Sequence, residues 1–226
     1  MIVARPKEFE HDVVLDRAMQ VFWSRGYKAT SIQHLVDRMG IQRGSLYATF
    51  GDKRALFFAA IERYDRVVTT RLLAALDGTA SGKDAIQKFF RLKVELAVEP
   101  RRPRGCLVTN SAAELASRDR GTATRVGAVL AKIEAAFHRA IVRAQQAGEI
   151  DRARDPRALA RFLTSSAQGL SVMAKTFPER AHLDDIVTVV LAALEIAKED
   201  PHGRDHPCDQ GARRQGAGSR HEDGLP

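Results

Sequence analysis

Apolar residues recur at helical spacing along nearly the whole chain, and no stretch of alternating β-branched residues suggests a sheet. Over 10–26 the stripe is Val14, Ala18, Val21 and Phe22, and Gly26 is placed to end that helix. Thr30-Ser31-Ile32-Gln33 reads as a capping box, with Gln33 returning a bond to the Thr30 backbone. Ile32, Leu35, Val36 and Met39 then form the apolar side of a short helix stopped by Gly40, and a second short helix runs from about Arg43 to Phe50. Asp52 is placed to cap a long helix starting at Lys53, in which Phe57, Ile61, Tyr64, Val68 and Leu72 keep the period. The segment 77–82 reads as a loop, and a limit to any hinge in that long helix. Beyond it the pattern predicts helices near 83–99, 107–118, 122–147, 156–176 and 183–198. The expected fold is all-α.

Residues 31–50, SIQHLVDRMGIQRGSLYATF, have the spacing of a helix-turn-helix: two short helices joined by a tight turn containing glycine. Gly40 permits the positive φ of the turn. Ile41, Leu46 and Phe50 are placed to anchor the second helix, which leaves Gln42, Arg43, Ser45, Tyr47, Ala48 and Thr49 on an outer face. Gly44 lets a backbone or a phosphate approach without a side chain between.

The run TSIQHLVDRMGIQRGSLYATFGDKRALF resembles the signature of the TetR family in spacing and residue type, and the resemblance covers about residues 5–65 most strongly. It implies a dimeric transcriptional repressor whose second motif helix enters the major groove of a palindromic operator. It makes Arg43, Ser45, Tyr47 and Thr49 candidates for base or phosphate contact on double-stranded DNA. Thr30 and Lys53 match positions that hold phosphate at helix N-termini, and Arg5 and Lys7 resemble a basic arm reaching the backbone or minor groove. Gln42 stands where Ser or Thr commonly caps the reading helix, and Thr49 where His is frequent. The resemblance also implies an N-terminal DNA-binding domain over 1–66 and a C-terminal effector-sensing and dimerisation domain over 67–198. Homodimerisation would use the helices near 156–176 and 183–198.

Charge changes this picture little. The chain carries a formal net charge of +8, yet residues 1–66 hold eleven basic against eight acidic residues and 67–150 hold fourteen against eight. The larger excess therefore lies outside the proposed reader, and bulk charge is poor evidence for DNA binding. A non-specific architectural DNA-coating protein is one alternative, but coating affinity scales with neutralised phosphates. A small helical enzyme is another; no GxSxG, HExxH, paired CxxC, Walker loop or dinucleotide fingerprint occurs. No cofactor or metal site is expected. No window approaches the roughly 20 apolar residues of a membrane span, and no secretory signal is visible, so a cytoplasmic location is expected. Residues 199–226, with Pro201, Pro207 and no Ile, Val, Phe, Met, Trp or Tyr, read as a disordered tail.

The body carries one candidate for chemistry. RRPRGCLVTNSAAEL (101–115) and SVMAKTFPE (171–179) resemble the NemR- and AcuR-like branch, some members of which sense electrophiles or oxidants through a cysteine at this place. Independently, Cys106 falls at the start of a predicted helix, where free N–H groups favour a thiolate, and Arg101, Arg102 and Arg104 add positive charge. Lys175 is a candidate charge partner. Two readings stand side by side: a reactive sensor, or a small buried residue, the usual fate of a free cysteine. A further sensing mode is a small-molecule pocket lined by Phe89, Phe90, Leu107, Asn110, Phe137, Phe162 and Met173, most of which plain core packing explains better, Asn110 excepted. Asn110, a polar amide early in an apolar helix, needs a partner, either a ligand or a helix-end carbonyl.

Overall fold

The computed structural model describes residues 8–78, 81–98 and 104–195, with side chains from residue 11 onward. Arg5, Lys7, Arg101, Arg102, Cys208 and the segment 199–226 lie outside the described residues. The described chain is all-helical: α1 (Glu8–Arg25), α2 (Ile32–Met39), α3 (Arg43–Phe50), α4 (Lys53–Tyr64), α5 (Thr70–Asp77), α6 (Gly82–Val98), α7 (Leu107–Ser111), α8 (Arg120–Gln146), α9 (Pro156–Thr176) and α10 (Arg180–Ala192). Two π turns, Asp65–Thr69 and Ala112–Ala116, join α4 to α5 and extend α7.

The N-terminal helices close on one another through side chains of both kinds. Leu15, Met19, Phe22, Leu35, Met39, Leu46, Leu56 and Phe57 are buried together, and α1 packs along α4 and α2. Arg63 on α4 clamps α1 with Nε and Nη2 on Asp16 (2.8 and 3.0 Å) and Nη1 on Asp12 (2.6 Å). The fork geometry of guanidinium suits such a two-carboxylate grip. Arg17 donates to the Met39 carbonyl (3.0 Å), one of the orphan acceptors at the end of α2. Beyond them α8, the longest helix, packs on α9 and α6, and Phe89, Phe90 and Phe137 form a three-ring cluster in the interior.

Several expected boundaries move, each for a visible reason. The cap of α2 is Ser31, one residue later than the sequence suggests: its Oγ accepts from His34 N (3.1 Å), and His34 Nδ1 accepts from Ser31 N (3.2 Å). Thr30 is excluded from that role because its hydroxyl turns back to the Gly26 carbonyl (2.5 Å) and its N–H to that of Tyr27 (3.2 Å). The helix expected over 107–118 is one α turn followed by the Ala112–Ala116 π turn, and the last helix starts at Arg180 and gives way after Ala192. Asp52 caps α4 as expected, accepting from Ala55 N (2.7 Å). The long helix from Lys53 does pass Tyr64, Val68 and Leu72, but by way of a π turn that widens it at 65–69.

Candidate functional site

The turn between α2 and α3 is set by Gly40, which adopts φ 71°, a left-handed value that side chains resist, and donates to Val36 O (2.9 Å). α3 then sits on a single fully buried side chain, Leu46, with Ile41 and Phe50 half-buried at its ends. Gln42, Arg43, Gly44, Ser45, Tyr47, Ala48 and Thr49 are exposed, and Tyr47 keeps 44% of its surface. Gln42 is the N-cap of α3 but makes no side-chain cap bond, so its amide is free to reach outward. The helix therefore presents an exposed, mostly polar face over a single fully buried foot.

The two expected phosphate-holding positions fare differently. Thr30 is only 1% exposed and its hydroxyl is spent on Gly26, so it offers no side-chain contact to an anion. Lys53 is half-buried at the first turn of α4, its Nζ 4.3 Å from the centroid of the Tyr27 ring. Burial lowers the pKa of its ammonium and Glu114 pulls it back up.

Several contacts fasten this module to the rest of the chain, three of them near its turns and loops. The Glu114 carboxylate, on the Ala112–Ala116 π turn, accepts from Tyr27 N (2.8 Å) and Lys28 N (2.6 Å) in the loop before α2. Trp23 Nε1 on α1 donates to Gly105 O (3.1 Å), the residue before Cys106. Arg54 on α4 meets Asp119, the cap of α8 (2.6 Å); Arg54 and Thr122 hold that carboxyl down at about 2.

Beside Gly105 lies a partly enclosed cavity of about 50 Å³. Its polar wall is Trp23, Tyr64, Lys93, Cys106 and Ser171; Val68, Leu72, Leu96, Leu170 and Ala174 supply most of the apolar wall. The Tyr64 hydroxyl donates to Cys106 Sγ (3.6 Å). Burial first, then the neighbouring Cys106, raises the Tyr64 phenol well above its ordinary range and keeps it a proton donor. Cys106 is 8% exposed and Lys93 9%.

Of the effector residues expected from sequence, Cys106 alone lines this cavity. Lys175 does not face the thiol: its Nζ donates to Asn110 Oδ1 (3.2 Å) while its aliphatic stem crosses Gly105. Gly105 has φ 65°, and a Cβ there would meet the Lys175 stem and the Ser171 carbonyl at 2.8 Å. Asn110 completes its bonding through Nδ2 to the Arg104 carbonyl (3.0 Å), so its partners are a loop carbonyl and a lysine. Phe89 and Phe137 are core rings 4.7 Å apart, Met173 is half-buried against the core, and Phe162 is 41% exposed. Arg104 is turned away from the sulfur, hydrogen-bonded to Gln20 Oε1 with its guanidinium 5.8 Å from the Trp23 ring. The basic group beside the thiol is Lys93, which the sequence reading missed. A lysine inside the apolar run of α6 (Ile86, Phe89, Phe90, Val94) was the available signal.

Among the described residues no group of His, Cys, Asp and Glu is placed to hold a metal ion, and no helix is long and apolar enough to cross a membrane.

Known proteins agree with this architecture over most of its length. Residues 14–60 match the family model of bacterial regulatory proteins of the tetR family, and 82–190 match a tetracyclin repressor-like C-terminal domain. The chain is 36% identical over 194 residues to the HTH-type transcriptional regulator YezE of Bacillus subtilis (strain 168), covering 85% of this chain and 100% of that one. It is 31% identical over 196 residues to the HTH-type transcriptional repressor ComR of Escherichia coli (strain K12), covering 86% and 92%. A cysteine mutant of the regulator CifR, solved in complex with 26-bp double-strand operator DNA, superposes with TM-score 0.76 at 31% identity, over 84% of this chain and 100% of that one. Reduced Escherichia coli NemR superposes with TM-score 0.75 at 18% identity, over 85% and 100%, which is likeness of fold alone. A second motif helix on one buried foot and matches along both halves lead to one conclusion: the chain belongs to the TetR family of transcriptional regulators and is not an enzyme.

Proposed function

We propose that the protein is a homodimeric repressor that occupies a palindromic operator through α3 and leaves it when a small electrophile modifies Cys106. The observation that carries the DNA reading is the polar face of α3, with Gln42, Arg43, Ser45, Tyr47 and Thr49 exposed over the single buried foot of Leu46. A helix so mounted can enter a major groove as a rigid unit. In this reading Arg43, Tyr47 and Gln42 approach base edges or phosphates, and Lys53 and the first turn of α2 approach phosphate. Arg5 and Lys7 form the arm, and residues 1–66 are the reader while 67–198 sense and dimerise. The CifR complex with operator DNA and the repressor name of ComR support repression by occupancy.

The sensor half of the reading rests on placement. Cys106 follows Gly105, whose carbonyl takes the Trp23 indole N–H of α1. An adduct on the sulfur has to be accommodated against Tyr64 of α4 and against that loop, both of which belong to the mounting of the reader. Modification then favours a state with a different separation of the two α3 helices.

The experiment is fluorescence anisotropy with the DNA upstream of the chain's own gene and its neighbours, against random duplex at several salt concentrations. A repressor keeps a large specific-to-random ratio as salt rises, whereas a coating protein keeps none. Arg43→Ala and Tyr47→Ala, both outside the core, are expected to weaken specific binding about 5- to 150-fold per side chain, the cost of roughly 1–3 kcal/mol for a base contact. Unchanged specific binding in both variants overturns the assignment of α3. An electrophile that releases wild-type protein but not Cys106→Ser supports the sensor; equal release of both overturns it.

A further inference from the structure

Lys93 is nine-tenths buried in α6, and no hydrogen bond or ion pair reaches it among the described residues. Burying an unpaired ammonium is costly, and a lysine so placed is generally either neutral and nucleophilic or waiting for a partner. Desolvation does push the Lys93 amine below its ordinary 10.5, and the one group that pulls it back is Cys106. Lys93 and Cys106 thus line the same small space, and the Tyr64 hydroxyl, which lines it too, donates to the sulfur.

The size of that space limits what it can hold. About 50 Å³ exceeds the one-probe volume of about 10–15 Å³ that a water needs, yet falls far below the roughly 300–1,000 Å³ of pockets that bind drug-sized molecules by contact. A molecule small enough to enter buries too little surface to be held by packing, so bonds must hold it. Two different nucleophiles lining one such space select a molecule with two electrophilic atoms.

We propose that the cavity captures a small conjugated aldehyde at both ends, Cys106 Sγ bonding its β-carbon and Lys93 Nζ condensing with its carbonyl carbon. This deepens the sensor reading and rests on it. In the first step the thiol proton passes to the Lys93 amine and the thiolate adds to the β-carbon. The displaced electron pair moves onto the carbonyl oxygen as an enolate, and the ammonium returns a proton to the α-carbon. That leaves a thioether, a free aldehyde and a neutral amine. In the second step the amine adds to the aldehyde carbon and one water leaves, giving an imine. Protein and aldehyde become cross-linked protein and water, with no oxidant or reductant needed. The link ties α6 to the loop before α7, where Gly105 holds Trp23 of the reader.

Mass spectrometry of the full chain treated with acrolein decides the matter, with and without borohydride. The expected product is one water lighter than the simple addition product, is fixed by borohydride, and yields a peptide pair joined between Lys93 and Cys106. Lys93→Met, which also loses the base of the first step, is expected to add acrolein more slowly and to stop at simple addition, with an aldehyde that a hydrazide labels, and Cys106→Ser to give no link between these positions. A wild-type adduct on Cys106 that keeps its free aldehyde, or a link to Lys175 instead, overturns the proposal. If that adduct still releases operator DNA, the sensor reading survives. An unmodified Cys106 with no operator release overturns both.

Discussion

Lys93 also sets how stability responds to pH. Its folded pKa is depressed by burial, so at neutral pH the unfolded chain holds the proton more firmly than the folded one. The penalty is full below the folded pKa and disappears as pH rises toward the ordinary 10.5. Lys93→Met is expected to raise unfolding free energy near neutrality by about 1–4 kcal/mol, as when buried ionic groups yield to apolar ones. The gain should shrink toward alkaline pH; a difference that stays flat from neutral to alkaline pH in urea titrations would rule the account out. Residues of this kind are the hardest to see in a sequence. Cys106 was visible because its neighbours resemble a family segment, but the lysine facing it comes from another helix, and Lys175, nearer in pattern, is bonded to Asn110. The one-residue slip from Thr30 to Ser31 has the same origin. Both hydroxyls suit a cap, and only the backbone path decides which one turns back to Gly26.

At the scale of elements, helices and their stops were largely legible, because apolar spacing, Gly40 and Asp52 act locally. The π turns were not. An apolar stripe through Tyr64, Val68 and Leu72 looks the same whether or not one residue is bulged out, and only packing against neighbouring helices selects the wider turn. Yet these turns carry the links between reader and body: Tyr64 stands at the mouth of one, and Glu114 on the other receives the N–H groups of Tyr27 and Lys28. Glu114→Ala leaves both donors without their charged acceptor. A loss of about 1.5–3 kcal/mol in unfolding free energy is expected for such a bond, together with weaker operator binding from a looser α2. Unaltered melting and unaltered binding would show that the contact transmits nothing.

Over the whole molecule, the apolar residues of the two helices expected to form the dimer divide in two. Leu159, Leu163, Leu170, Val190 and Leu194 are buried within the chain itself, while Phe162, Val172 and Val189 stay exposed, Val189 at 70%. Exposed large apolar side chains on adjacent helices suit a second copy. Val189→Glu is expected to raise the dimer dissociation constant at least about tenfold by placing a charge in an apolar interface, and to weaken operator binding in step. Sedimentation at several concentrations reads the first effect, and an unchanged dimer would move the interface elsewhere. The net charge of +8 played little part in any of this. The bond between Trp23 and Gly105 has one more consequence, which is optical. Trp23 is the only tryptophan of the chain, its indole N–H is bound to the residue before Cys106, and its ring forms part of the cavity wall. The protein thus carries an intrinsic fluorophore in the wall of the proposed sensor cavity. Its emission wavelength and quenching report occupancy of the cavity without any added dye, while DNA release is followed through the labelled operator in the same cuvette.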